Sequence, residues 1–142
     1  MDLLFIVRDA LANSVVGTLL TAAHAKKVGQ EVAVVFTQEA LAAVARGTFG
    51  WPRELAGQEM RFLMADHAAA RGIPVAGRGE SRQIDTKALI AQIRDAGVPL
   101  YACPVWAALL GLEGKLPQGL QAVDAAAVCT LLHDAKQVIG TL

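Results

Sequence analysis

Residues 31–36, EVAVVF, decide the fold. After Glu31 the run is apolar without a break, rich in β-branched valine, and no polar residue alternates with the apolar ones. A strand with one wet face alternates; a strand that is apolar throughout has both faces covered, as in a parallel sheet between layers of helices. Working outward, Asp2–Val7 (DLLFIV) is a second such run, ending at Arg8-Asp9. Between them lies a helix. Asn13-Ser14 are good N-caps; Val15, Val16, Leu19, Leu20 and Ala23 share one face, and Lys26-Lys27 with Gly29 form a suitable end. Thr37 is placed to cap a helix over Gln38–Arg46, stopped by Gly47. The order is β-α-β-α, which predicts an α/β protein with a mostly parallel sheet of about five strands and helices on both faces.

The rest of the chain extends this alternation. Gly47–Gly57 is a glycine- and proline-bearing loop that carries Phe49 and Trp51. A helix follows over Gln58–Arg71, with Met60, Leu63, Met64 and His67 along a stripe. Ile73–Ala76 reads as a short strand and Gly77–Ile84 as a polar loop. Asp85 or Thr86 caps a helix that runs through Ala96 to Gly97. Val98–Ala102 is a strand, with Pro99 at its start because proline lacks the N–H a central rung needs. Pro104–Leu110 is a short helix with proline at its preferred first position. Asp124 caps a helix to about His133, and Gln137–Thr141 closes the chain as a strand. No repeat, low-complexity stretch or linker divides the 142 residues, so residues 1–142 are expected to form one domain.

Composition removes several classes of function. Lysine plus arginine equal aspartate plus glutamate at 13 each, so there is no basic surplus with which to capture nucleic acid or an anionic membrane. The uncharged run Val98–Leu112 is too short to span a bilayer and holds two prolines. Met1-Asp2-Leu3 lacks the basic flank of a signal peptide. Two cysteines without an export signal suggest reduced thiols and a cytoplasmic setting. Mean hydropathy is +0.42, high enough to predict that some apolar surface is hidden by self-association.

The candidate site is built on Cys103. It falls where a strand hands over to a helix, the edge of a parallel sheet at which ligands bind. At a helix N-cap it would face the free N–H groups of Val105 and Trp106, which favour thiolate over thiol, with Pro104 fixing the turn and Tyr101 alongside. A thiolate is the form that attacks a sulfane sulfur. The competing reading is a buried, inert cysteine, since cysteine packs as a small hydrophobe. Cys129 reads as such core filler, mid-helix on a stripe with Ala125 and Leu132. Cys129 and His133 are spaced i, i+4, but nothing completes a metal site, so no metal and no cofactor are expected. Phe49, Trp51 and His67 are candidates for a pocket. Cys-x-x-Cys is missing, and Leu109 stands where a phosphatase-type Cys-x5-Arg needs arginine. Gly77-Arg-Gly79 opens like a dinucleotide fingerprint but has Arg82 at its last glycine position. Arg78, Arg82 and Lys87 read as a solvated basic face.

EVAVVFTQEAL after the first helix, then AGVPLYACPVWAALLGL, resemble the DsrE/DsrF-like family of small sulfur-relay proteins: a strand running into Tyr-Ala-Cys, then a short helix ending in Gly111-Leu112. The closing Asp124–Leu142 stretch fits the same layout. The resemblance implies a flavodoxin-like three-layer sandwich and trimers or hexamers. It also implies a persulfide-carrying cysteine, mapped onto Cys103, that exchanges sulfur with a donor or acceptor protein. Pro104 and Trp106 depart from the small or polar residues many members carry there. The alternative function is a non-catalytic subunit that binds a small ligand or a partner protein through Phe49, Trp51 and Trp106.

Overall fold

The computed structural model describes residues 1–74 and 84–140. Its strands are β1 (Leu3–Val7), β2 (Val32–Phe36), β3 (Leu100–Ala102), β4 (Gln121–Ala122) and β5 (Gln137–Ile139). Its helices are α1 (Ala12–Lys27), α2 (Gln38–Arg46), α3 (Gln58–Ala70), α4 (Thr86–Asp95), α5 (Pro104–Leu109) and α6 (Ala125–Asp134). The strands form one sheet in the order β4-β3-β2-β1-β5, and every pairing is parallel. This is the α/β sandwich expected from the unbroken apolar runs.

The topology makes the two faces unequal. From β1 to β4 the chain steps in one direction across the sheet, and right-handed crossovers in one direction keep their helices on one face. The larger core confirms it: Phe5, Val7, Val34, Phe36, Leu100 and Ala102 meet buried residues of α1, α2 and α4. The return from β4 to β5 runs the other way, so α6 crosses the opposite face. There Leu4, Ala33 and Val35 are buried, with Ile6, Tyr101, Cys103 and the α6 residue Leu131 packed against them. At ~25 cal/mol per Å² of apolar surface removed from water, the first face carries most of the stabilisation.

Local signals decide several boundaries. Asp85 and Asp124 cap α4 and α6 as expected, accepting from Ala88 N at 3.0 Å and Ala127 N at 2.7 Å. α1 starts one residue before the expected caps. Leu11 is its N-cap, and Asp9 Oδ1 takes the Leu11 N–H at 3.0 Å. Ile73 and Pro74 lie in no strand, and the remainder of that expected strand, with most of the loop before Ile84, falls outside the described residues. β4 is an addition: its two residues carry no apolar run, yet they pair with Tyr101 and Ala102.

Cys129 needs a correction. It is exposed, and no residue of α6 is fully buried. Sequence favours a stripe through Ala125, Cys129 and Leu132, whereas the side that meets the sheet carries Leu131, with Ala135 just beyond the helix. Two residues separate Cys129 from Leu131, about 200° around a helix, so Cys129 points to the far side.

Candidate functional site

Alternation along β3 sends Leu100 and Ala102 into the larger core and leaves Tyr101 and Cys103 on the α6 face. Cys103 continues the ladder past the strand end, its N–H donating to Phe36 O at 2.9 Å. Its own carbonyl accepts from Ala107 N at 2.8 Å and so begins α5. One residue thus closes the β2–β3 ladder and caps the next helix, which fixes its backbone from both sides. The thiol is half-buried.

The expected support from α5 does not form. Cys103 is the N-cap with φ −59° and ψ 123°, and its side chain makes no capping hydrogen bond. Pro104 at the first helical position supplies no donor, and α5 is only 6 residues long. Val105 is exposed, and Trp106 packs against the larger core. The sulfur instead lies with Tyr101 against the Leu4–Ala33–Val35 cluster. Of the expected supporting residues, Tyr101 shares its cluster and Pro104 is bonded to it in the chain; Trp106 belongs to the other face.

The three pocket candidates lie elsewhere. Phe49 is 2% exposed within the larger core, and Trp51 packs partly buried against that core. His67 is exposed near the end of α3, where Arg71 Nη1 donates to its carbonyl at 2.9 Å. None is brought to Cys103: the sheet stands between its cluster and that of Phe49 and Trp51, and exposed His67 belongs to neither cluster. Phe49 in a glycine-rich loop carried no periodicity that could reveal its burial.

Two features at this edge were not legible in the sequence. Gln38, two residues beyond Phe36, has φ 52°, the left-handed region that a non-glycine residue enters at a cost. Thr37 before it is buried and caps α2 without a side-chain bond. The second feature is a cavity of about 260 Å³ between the ends of β3 and β4, lined by Ala102, Pro104, Ala107, Ala122, Val123 and Glu113 among others. The helices after these neighbouring strands leave towards opposite faces, the arrangement that opens a crevice at the carboxyl edge of a parallel sheet. Both chain neighbours of Cys103 line it. Among the described residues no group of three or more His, Cys, Asp or Glu is placed to hold a metal. No described helix is long and apolar enough to cross a membrane.

Comparison with known proteins supports the architecture. A crystal structure of the YchN protein from E. coli, a protein of DsrE-like fold, superposes on the chain with a TM-score of 0.60. The match covers 99% of both chains at 12% identity, a likeness of fold. No family model matches the sequence, and no curated protein matches it.

Proposed function

We propose that this chain is a sulfur carrier that holds sulfane sulfur as a persulfide on Cys103 and passes it to a partner protein. The observation that carries the reading is the position of Cys103: a half-buried free thiol at the carboxyl end of β3, held by the Phe36 carbonyl beside the β3–β4 crevice. The chemistry requires no cofactor. The Cys103 thiolate attacks the outer sulfur of a donor persulfide. A bond forms between Sγ and that sulfur, the donor's S–S bond breaks, and the donor leaves as a thiolate. The charge moves from one sulfur to the other, and no electron acceptor is consumed. Delivery repeats the exchange with an acceptor thiolate attacking the sulfur held on Cys103. The resemblance around Tyr101-Ala102-Cys103 and the DsrE-like fold of the structural neighbour point the same way.

The same reading includes self-association, as a trimer or hexamer, in a reducing cytoplasmic setting. Leu132 and Val138 are 44% and 48% exposed on α6 and β5, an amount of apolar surface that another copy would cover.

The uncapped sulfur and the six-residue α5 favour one alternative, a non-catalytic binding subunit on this scaffold. Alkylating Cys103 with iodoacetamide, in a Cys129→Ala background, separates the two. The carrier reading expects all sulfane transfer to an acceptor thiol to stop, and transfer that survives alkylation supports the binding subunit.

A further inference from the structure

We infer that the cleft between α2 and α4, remote in sequence from Cys103, binds a small molecule that joins an oxyanion, carboxylate or phosphate, to an apolar body. Its volume is about 620 Å³, within the range of small-molecule sites and too small to seat a folded partner. Arg46, Lys87 and Arg94 all line it, and among the described residues no aspartate or glutamate does. In a chain whose charges balance, three cations around one cleft are a local concentration. Among the described residues Arg46 and Lys87 have no ion pair, and Arg94 has only the exposed Asp95, at 3.8 Å. The floor between them is apolar, with Val44 and Ile90 nearly buried.

The cleft is built into the fold. Thr86 Oγ1 donates to Gly47 O at 3.3 Å, tying the end of α2 to the start of α4. The third wall, Pro117–Gln118, is held by Gly119, where a Cβ would lie 2.6 Å from Ile90 Cγ2 and φ is +99°. Only glycine allows that approach. Asp85 already places its carboxylate at the start of α4, on Ala88 N, so the helix end is not the anion's ligand. The side chains are. Two guanidinium groups offer the planar forks that grip carboxylate or phosphate.

The test titrates the full chain with naphthyl phosphate, naphthoate and the neutral naphthyl methanol, read by calorimetry. At least one anion should bind, whichever is tighter naming the head group, and the neutral compound should bind about tenfold or more weaker. Arg46→Gln with Arg94→Gln should weaken anion binding by a further tenfold or so, with the unfolding midpoint unchanged because both side chains are exposed. Ala91→Trp, which fills the cleft, should remove binding of all three; Lys27→Gln on α1 and Cys103→Ser, neither of which lines it, should leave anion binding at its wild-type strength. Retained binding in the double variant or in Ala91→Trp, equal binding of the neutral compound, or no anion binding at millimolar concentration would overturn the assignment. Because Cys103→Ser is included, failure here leaves the carrier reading standing, and the reverse holds too.

Discussion

The Cys103 N–H and the Phe36 carbonyl meet at 2.9 Å, so the sulfur-bearing residue is positioned by the neighbouring strand. Phe36 is fully buried, and the residue two beyond it, Gln38, sits at φ 52°. Strain and a held thiol therefore share one edge of the sheet.

That strain can be measured. Gln38→Gly removes the left-handed penalty at an exposed position, and urea unfolding should show a gain of about 1 kcal/mol. If the strained turn also positions Cys103, sulfur loading should slow in this more stable variant. Unchanged or lower stability would mean that the conformation costs nothing here.

At the opposite edge, Asp2 fastens the beginnings of three strands. Its carboxylate accepts from Glu31 N at 2.8 Å and from Lys136 Nζ at 2.8 Å. The Lys136 hydrogen bond, then the Glu31 amide, hold the Asp2 carboxyl below its ordinary range, and the same bond to Asp2 raises Lys136. The signs follow. Asp2 contributes stability above its unfolded-state value and loses it as pH falls through the lowered one; Lys136 contributes below its unfolded-state value and loses it as pH rises through the raised one. Lys136 is exposed and Asp2 only half-buried, so the effect is small. Asp2→Asn should flatten the acid limb of a urea-midpoint-against-pH curve, and an unaltered limb would remove Asp2 from the account.

Cys129 makes the test of the corrected helix register. In a Cys103→Ser background it should label rapidly and completely with a maleimide under native conditions, and Cys129→Ala should change stability by less than about 0.5 kcal/mol. Slow labelling would mean that the outer side of α6 is covered.

Much of this molecule could be read before it was seen. Phe36, Val7 and their neighbours lie in runs so apolar that only a sheet covered on both faces accommodates them, and Asp85 and Asp124 announce their helices by capping. The failures share one cause. Gln121-Ala122 becomes a strand only because Tyr101 and Ala102 present an open edge, and Phe49 is buried only because the core has a space for it. Cys129 faced two possible stripes on an alanine-rich helix, and the packing of Leu131 against Leu4 and Val35 chose between them. The position of Cys103 was legible, since strand, cysteine and proline follow one another in the chain. The direction of its sulfur was not, because alternation along β3 outweighs a six-residue helix with proline at its start.

The most direct test of the carrier reading is the intact mass of the Cys129→Ala protein after incubation with thiosulfate or polysulfide, beside the same protein carrying Cys103→Ser. Serine also suits a helix N-cap, so both should unfold at nearly the same urea concentration. The account predicts a gain of whole sulfur atoms on the protein that retains Cys103, reversed by a thiol reductant, and none on the serine variant. Sulfur uptake by the serine variant, or no uptake by the protein with Cys103 intact, would contradict it.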